Sequence, residues 1–386
     1  MNDVPAPRVL MIATAADWQG TARTPAALAA AGFEPYLFAP EGSYARFSRH
    51  TKAHYLLDAR APFAAQATTI ATAFDRLRPS LAVACDDGAF DLMRGIHDSP
   101  QSGVPQAVHD GLRRLIAVSL GDPAGYAASV DKLQFALRAR ELGLDAPQSI
   151  VTHDVAEAAT FAAHAGYPVV LKRSFSFGGH GVAVCADANE LAGQFARLAA
   201  GADAPTRLLV QQHVPGTTWY VHALAWKGEL LCSHAVEKLE GIPRGPATVV
   251  RYSHHPVMSD ITARVARAFG ISGLFGTEFL ATDRAATPWL IEANRRITPG
   301  SHRGPAIGID YVGALRDALE NRPLRTRRQL DAGEDHVFVH FPMEWTRDPQ
   351  SPWLVYHRGD VPHDDPRLAA ALFDFGWKVN KLRTPS

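Results

Sequence analysis

The chain has 386 residues, 47% of them hydrophobic and 20% charged, with 39 basic residues balanced by 39 acidic ones. That length suggests two or three domains at roughly 100 to 200 residues each, and the composition excludes a disordered or fibrous chain. Formal neutrality supplies no global field for nucleic acid or an anionic membrane, and no run approaches the ~18 apolar residues of a membrane span. Small-molecule chemistry is the expectation. The three cysteines, Cys85, Cys185 and Cys232, lie far apart in apolar runs. The N-terminal stretch has Asp3 and two prolines before its first apolar run and lacks a basic leader pattern. Both features point to a reducing, cytoplasmic setting.

In chain order, residues 8–13 read as an apolar strand and residues 21–31 as an Ala-rich helix ended by Gly32. A second strand at 34–39, a helix at 66–77 and a buried strand at 81–85 follow, an alternation that predicts a parallel α/β sheet over residues 1–120. Ligands of such sheets sit beyond the strand carboxyl ends, which makes Asp86 and Asp87 candidate substrate residues. The competing reading is an acidic turn that caps the next helix. After Gly121-Asp122-Pro123 the pattern changes to a helix at 131–142, a helix at 155–165 and a strand at 168–172. A Gly-rich loop and strands at 207–213 and 219–226 follow. This mixture predicts α+β structure, divided into a unit at 121–205 with the Gly-rich loop and a unit at 206–330. Residues 331–386 read as a small C-terminal extension with a strand at 337–341. Its Trp345, Trp353 and Trp377 suit either core packing of a small lobe or a homodimer contact.

Several well-known signatures are missing: GxxxxGK[ST], GxGxxG after the opening strand, HExxH and CxxC. The pairs His50/His54 and His336/His340 have i,i+4 spacing but fall outside helical patterns and have no nearby carboxylate, so they do not read as metal sites.

Three segments carry chemistry. In YPVVLKRSFSFGGHGVAV, an apolar strand ends in Lys172, and a loop with Gly178, Gly179 and Gly181 either lets backbone N–H groups fold over phosphate oxygens or closes a glycine-containing β-hairpin beside a solvated lysine. Ser174 and Ser176 add hydroxyl donors. In GLFGTEFLATDRAATPWLIEANRRITPG, two strands joined by a polar turn at 281–288 place Glu278 on a face with Leu274, Gly276 and Leu280, and Glu292 on a face with Leu290 and Asn294. Paired as a hairpin, the two glutamates oppose each other, an arrangement that repels unless a cation lies between them. Oxygen ligation by Glu278, Glu292 and Asn294 suits Mg²⁺ or Mn²⁺, and Arg296 stands beside it to meet a phosphate or carboxylate. In RLLVQQHVPGTTW, Gln211, Gln212 and His213 either hold a purine edge or form a generic strand and turn.

Taken together and in this order, with Lys132 in SVDKLQFALRARELGLDAP, these motifs resemble the ATP-grasp superfamily, in the branch similar to carbamoyl-phosphate synthase large subunits. The resemblance covers about residues 120–313. It implies an N-terminal parallel α/β domain followed by an ATP-grasp fold of two α+β subdomains. It also implies Lys132 and Lys172 on ATP phosphates, a glycine lid, Mg²⁺ on Glu278, Glu292 and Asn294, and adenine near Gln211, Gln212, His213 and Val214. Two departures stand out. Thr217 and Thr218 follow the Pro-Gly turn where many relatives carry a ribose-binding glutamate, leaving Thr218 as the nearest substitute, and His180 sits in the lid.

The implied activity is ligation of a carboxylate to an amine through an acylphosphate, with ADP and phosphate released. Lys172 and Arg296 would be the residues closest to the transfer, and Arg251 and Arg303 are candidates for the substrate carboxylate. The alternatives are a phosphotransferase, a bicarbonate-using carboxylase and a non-catalytic nucleotide-binding protein.

Overall fold

The computed structural model describes residues 5–100, 102–174, 181–200, 206–243, 245–283, 287–324 and 336–383. Its first unit is a parallel sheet of β1 (Arg8–Ile12), β2 (Glu34–Ala39), β3 (Ala53–Leu56) and β4 (Leu81–Ala84) in the order β3-β2-β1-β4. Helices α1 (Gln19–Ala30), α2 (Phe63–Leu77), α3 (Asp87–Asp98) and α4 (Gln106–Leu120) alternate with or follow these strands. After Arg8 the β1 sequence is apolar because both its faces are covered. Val9 and Met11 enter one core with Leu224 and Val250, while Leu10 and Ile12 enter another with Ile70, Phe90 and Ile116. Helix α2 starts at Phe63, three residues before the sequence expectation of 66. Its start has no side-chain cap for the sequence to signal.

Short helices α5 (Tyr126–Val130) and α6 (Lys132–Glu141) lead into the second unit, with α7 (Val155–Ala165) and α8 (Ala188–Ala199). Its strands β5 (Ser149–Thr152), β6 (Val169–Arg173), β7 (Val182–Cys185) and β8 (Leu208–Gln212) form an antiparallel sheet ordered β5-β8-β6-β7. Ala158, Leu171, Phe195 and Val210 share its core.

The third unit is a six-stranded antiparallel sheet ordered β13-β12-β9-β10-β11-β14. It comprises β9 (Thr217–Trp226), β10 (Glu229–Gly241), β11 (Ala247–Ser253), β12 (Gly273–Ala281), β13 (Trp289–Asn294) and β14 (His336–Val339), with α9 (Pro256–Ala268) and α10 (Tyr311–Leu319). Alternation along β9 sorts its two faces. Trp219, Val221, Ala223 and Ala225 pack against Met258, Ile261 and Val265 of α9. Tyr220, His222 and Leu224 turn the other way, toward the N-terminal unit.

In the C-terminal segment β14 pairs with β11 and extends the large sheet. Beyond it, α11 (Met343–Arg347) and α12 (Pro366–Arg383) pack back on the N-terminal unit, where Phe341, Leu368 and Leu372 share a core with Ala22 of α1. Trp345 packs into this cluster, whereas Trp377 is 65% exposed. Among the described residues no helix is long and apolar enough to cross a membrane.

Candidate functional site

The three units enclose one cavity of about 760 Å³. Lys132 enters it from the first turn of α6. Asp131, just before it, caps that helix by accepting from the Leu133 and Gln134 amides at 2.8 and 3.3 Å, which fixes where the lysine stem starts. Its Nζ lies 3.2 Å from Glu292 Oε2. Lys172, near the end of β6, also lines the cavity and is 8% exposed, and burial lowers its pKa.

Glu278 on β12 and Glu292 on β13 are register partners. The alternation expected for β13 needs one correction. Pairing steps from Glu278–Glu292 directly to Phe279–Leu290, so Ile291 is an extra residue on its strand, a β-bulge. Leu290 therefore joins the core with Phe279, on the face opposite Glu292, instead of sharing the glutamate's face. Burial, reinforced by Glu292, pushes the Glu278 carboxyl up to about 7 against the pull of Lys172 and Lys132. Burial acts on Glu292 in the same sense, but Lys132 and Lys172 outweigh it and hold that carboxyl below its usual range. The pair thus has less positive charge nearby than two ionised carboxylates need.

Asn294 Oδ1 accepts from Arg296 Nη2 at 3.2 Å, and Arg296 Nε donates to Asp87 Oδ2 at 3.0 Å. The guanidinium also sits 4.4 Å from the centre of the Trp18 ring. Carboxylate, amide and aromatic face together hold the arginine fork in one orientation inside the cavity. Its neighbour Arg295 points elsewhere. It is 3% exposed, donates to Ser129 Oγ and to the Leu120 carbonyl, and lies over the Phe90 ring. Burial lowers its pKa to about 10.

The two acidic residues of the 86–88 turn separate in role. Asp86 accepts from the Ala89 amide as the cap of α3, and also from the Thr14 and Ala15 amides and the Thr14 hydroxyl. Its oxygens are committed to structure, as the capping reading expects. Asp87 lines the cavity through Arg296.

Other sequence candidates fall away from the cavity wall. Arg251 pairs with Glu237 on the adjacent strand at 2.9 Å, and Arg303 covers the Phe338 ring at 4.4 Å. Neither is among the residues that line the cavity. Gln211 is buried within the β5-β8-β6 sheet, and the Gln212 backbone N–H donates to the Gln148 carbonyl. His213 and Val214 occupy the link to β9, and Thr218 reaches the cavity from the start of β9. The Ser174 hydroxyl is buried without a partner. Ser176, Gly178, Gly179 and His180 lie outside the described residues.

Sequence reasoning missed Trp18, Tyr220 and Lys238 on the cavity wall, and the end of the cavity farther from the glutamates, where His222, Gly300 and His340 contribute. One signal was available. Thr218, Tyr220 and His222 alternate with apolar Trp219, Val221 and Ala223, the pattern of a strand with one polar, site-facing side. Trp18 and His340 come from opposite ends of the chain and gave no such signal.

Comparison with known proteins yields matches of two kinds. Residues 131–218 match the family described as carbamoyl-phosphate synthase L chain, ATP binding domain. The arginine-specific mitochondrial carbamoyl phosphate synthase large chain of Schizosaccharomyces pombe is 28% identical over 272 residues, 66% of this chain and 23% of that one. The large chain from Pyrobaculum aerophilum is 26% identical over 256 residues, 64% of this chain and 23% of that one. This chain therefore spans about a quarter of the length of these curated relatives. Among solved structures, the biotin carboxylase domain of Hydrogenobacter thermophilus 2-oxoglutarate carboxylase, solved with MgADP and bicarbonate, superposes with a TM-score of 0.66 at 18% identity. The match covers 86% of this chain and 74% of that one. Carboxyaminoimidazole ribonucleotide synthase of Aspergillus clavatus, complexed with ATP, gives a TM-score of 0.62 at 14% identity, over 87% of this chain and 82% of that one.

Proposed function

Since this chain carries the ATP-grasp fold in its carbamoyl-phosphate-synthase-like form, we propose that it is an ATP- and Mg²⁺-dependent ligase joining a carboxylate to an amine. The observation that carries this reading is the convergence of Lys132, Lys172, Glu278, Glu292, Asn294 and Arg296, from α6, β6, β12, β13 and the loop after it, on one cavity. In the reaction a substrate carboxylate oxygen bonds to the γ-phosphorus as the bond to the β-phosphate oxygen breaks, which gives an acylphosphate and ADP. The amine then attacks the acyl carbon, and phosphate leaves as the amine loses a proton.

Such a transfer develops charge on oxygens and needs positioning more than a protein nucleophile. Lys132 and Lys172 would neutralise ATP phosphates, with Ser174, Ser176, Gly178 and Gly179 adding donors. Adenine would lie at the link between β8 and β9, against Gln212, His213 and Val214, with Thr218 toward the ribose. Gln211, held in its sheet, is left as a support for that link. Arg296, already oriented by Asp87, would meet the substrate carboxylate.

The donor set fits a hard divalent cation. Glu278 and Glu292 face each other, burial and mutual repulsion push the Glu278 carboxyl up to about 7, and Asn294 supplies a third oxygen. Glu278, Glu292 and Asn294 would hold Mg²⁺ or Mn²⁺, whose chemistry there is neutralisation of phosphate charge. Three buried cysteines outside any disulfide favour a cytoplasmic location.

The test is ADP release with Mg²⁺, ATP and a panel of small carboxylates that includes bicarbonate, each with and without hydroxylamine. Acid-dependent ADP release with matching hydroxamate is expected for a carbon acid. ADP release with phosphate left on a hydroxyl product would replace the ligase with a phosphotransferase. A response to bicarbonate alone would make the protein a carboxylase.

A further inference from the structure

At the end of the cavity away from the glutamate pair, two histidines are built in without protein partners. His222 on β9 is 5% exposed, and His340, just past β14, is 6% exposed; both line the cavity. The His222 Nδ1 is sealed under Gly300 with no hydrogen bond, so the ring meets the cavity through Nε2, and no described group hydrogen-bonds to either ring. Buried polar side chains are normally satisfied, so two imidazoles left open toward a cavity mark a place where something else completes the bonding.

Space around the pair is also kept open. A Cβ at Gly300 would lie 2.5 Å from His222 Cε1 and 2.4 Å from Tyr252 Oη, so the backbone passes the ring only because residue 300 is glycine. The register gives the distance scale. Tyr220 is the partner of Glu278, and His222 lies two residues further along β9, about 7 Å at the usual strand rise.

The charges around the pair select the occupant. Arg296 and His302 act on His222, with His340 beside it; His302, Arg303 and Arg23 act on His340 against Asp360. Asp360 is already engaged, since it pairs with His302 at 2.6 Å, lies 3.9 Å from Arg23 and accepts the Phe341 amide at 2.9 Å. Asp87 is engaged by Arg296 in the same way. What remains are N–H donors, from the two imidazoles and from the Arg296 fork that Asp87 holds, and donors without a matching acceptor suit an oxyanion. Burial, with these cations, lowers the His222 and His340 pKa values to about 3 and 4, so an arriving anion meets neutral rings that donate one N–H each.

We propose that His222 and His340 bind a second, non-reacting carboxylate of the acid substrate, which makes that substrate a short dicarboxylate. The inference rests on the carboxylate-activating reading above and adds the identity of the acid's far end. One carboxylate is activated beside Arg296 and the glutamate pair, while the other is docked between the imidazoles. His222 and His340 are thereby residues of specificity, since a half-amide of the same shape carries no negative charge to the pair.

The test is calorimetry on the full chain loaded with Mg²⁺ and a non-hydrolysable ATP analogue. Short dicarboxylates are titrated beside their half-amides and beside acids that carry a phosphate tail. The dicarboxylate is expected to bind at least ~10-fold tighter than its half-amide, the order of discrimination seen when a built polar site loses its partner. His222→Gln and, separately, His340→Gln should erase that preference, with unchanged affinity for the analogue showing that each variant is folded. Equal binding of diacid and half-amide, or a preference intact in both variants, overturns the inference. So does tighter binding of the phosphate-tailed acids, which would move the oxyanion to a phosphate ester. If the inference fails while a monocarboxylate still yields hydroxamate, the ligase reading stands alone. If dicarboxylates bind as expected but none supports ADP release, the docking pair stands and the ligase reading falls.

Discussion

The two ends of the cavity satisfy their polar groups in opposite ways. At one end charged groups are paired within the protein, Lys132 with Glu292 and Arg296 with Asp87, while Glu278 is left short of positive charge. At the other, the His222 and His340 rings are held by packing and make no hydrogen bond among the described residues. Internal pairing holds the lysine and arginine in place until phosphate and metal take over. An open pair leaves hydrogen bonds for a substrate group to make.

The most severe way to break the first end is Glu292→Gln. Turnover should fall at least ~100-fold, the scale for removing a group that stabilises transferring charge. Stability should change little, because loss of the Lys132 contact is offset by relief of repulsion with Glu278. ADP release and a melting curve check both parts, and near-wild-type ADP production would remove the metal assignment. Arg296→Lys is next, with an expected loss of roughly 10-fold or more in kcat/KM for the acid, because a lysine cannot reproduce a planar fork held by Asp87, Asn294 and Trp18. An unchanged KM and kcat would show that the arginine serves packing alone.

Gly300→Ala tests the second end. The added methyl must push His222 or Tyr252, at an expected cost of about 1–3 kcal/mol in chemical denaturation, with acid affinity reduced and nucleotide affinity retained. The same end predicts a pH signature. His222 and His340 have folded pKa values depressed to about 3 and 4 from 6.5, so the unfolded chain binds more protons between those limits. Their contribution is present in full above 6.5 and declines as pH falls through the window, by up to roughly 2 kcal/mol per group at pH 5. Denaturation midpoints from pH 7 to 5 should show this slope, and His222→Gln should flatten it. The smallest effect is expected from Arg251→Gln. The part-exposed pair with Glu237 is worth about 0–1 kcal/mol, and acid KM should not move.

How far the sequence could be read follows the same division. Lys172, Glu278, Glu292, Asn294 and Arg296 lie in two short segments whose strand pattern announces which side chains gather. Even there, period-two counting put Leu290 beside Glu292, because the extra residue at Ile291 is a property of how two strands pair and leaves no mark on either alone. Asp86 and Asp87 are adjacent and alike, yet one is consumed by Thr14, Ala15 and Ala89 and the other meets Arg296. That distinction depends on β1 lying beside β4, a long-range fact. The second end draws on His222, Gly300 and His340, which only the folded chain brings together.

The pairing of β14 with β11 gives the C-terminal segment a protective role that is separate from chemistry. A protein cut before His336 would lose more than His340. It would bare the hydrogen-bonding edge of Val249, Val250, Arg251 and Tyr252, largely apolar and already in strand conformation, and such an edge recruits strands from other molecules. Shortened versions should therefore fail first by self-association, with solubility lost before any assay could register a missing histidine.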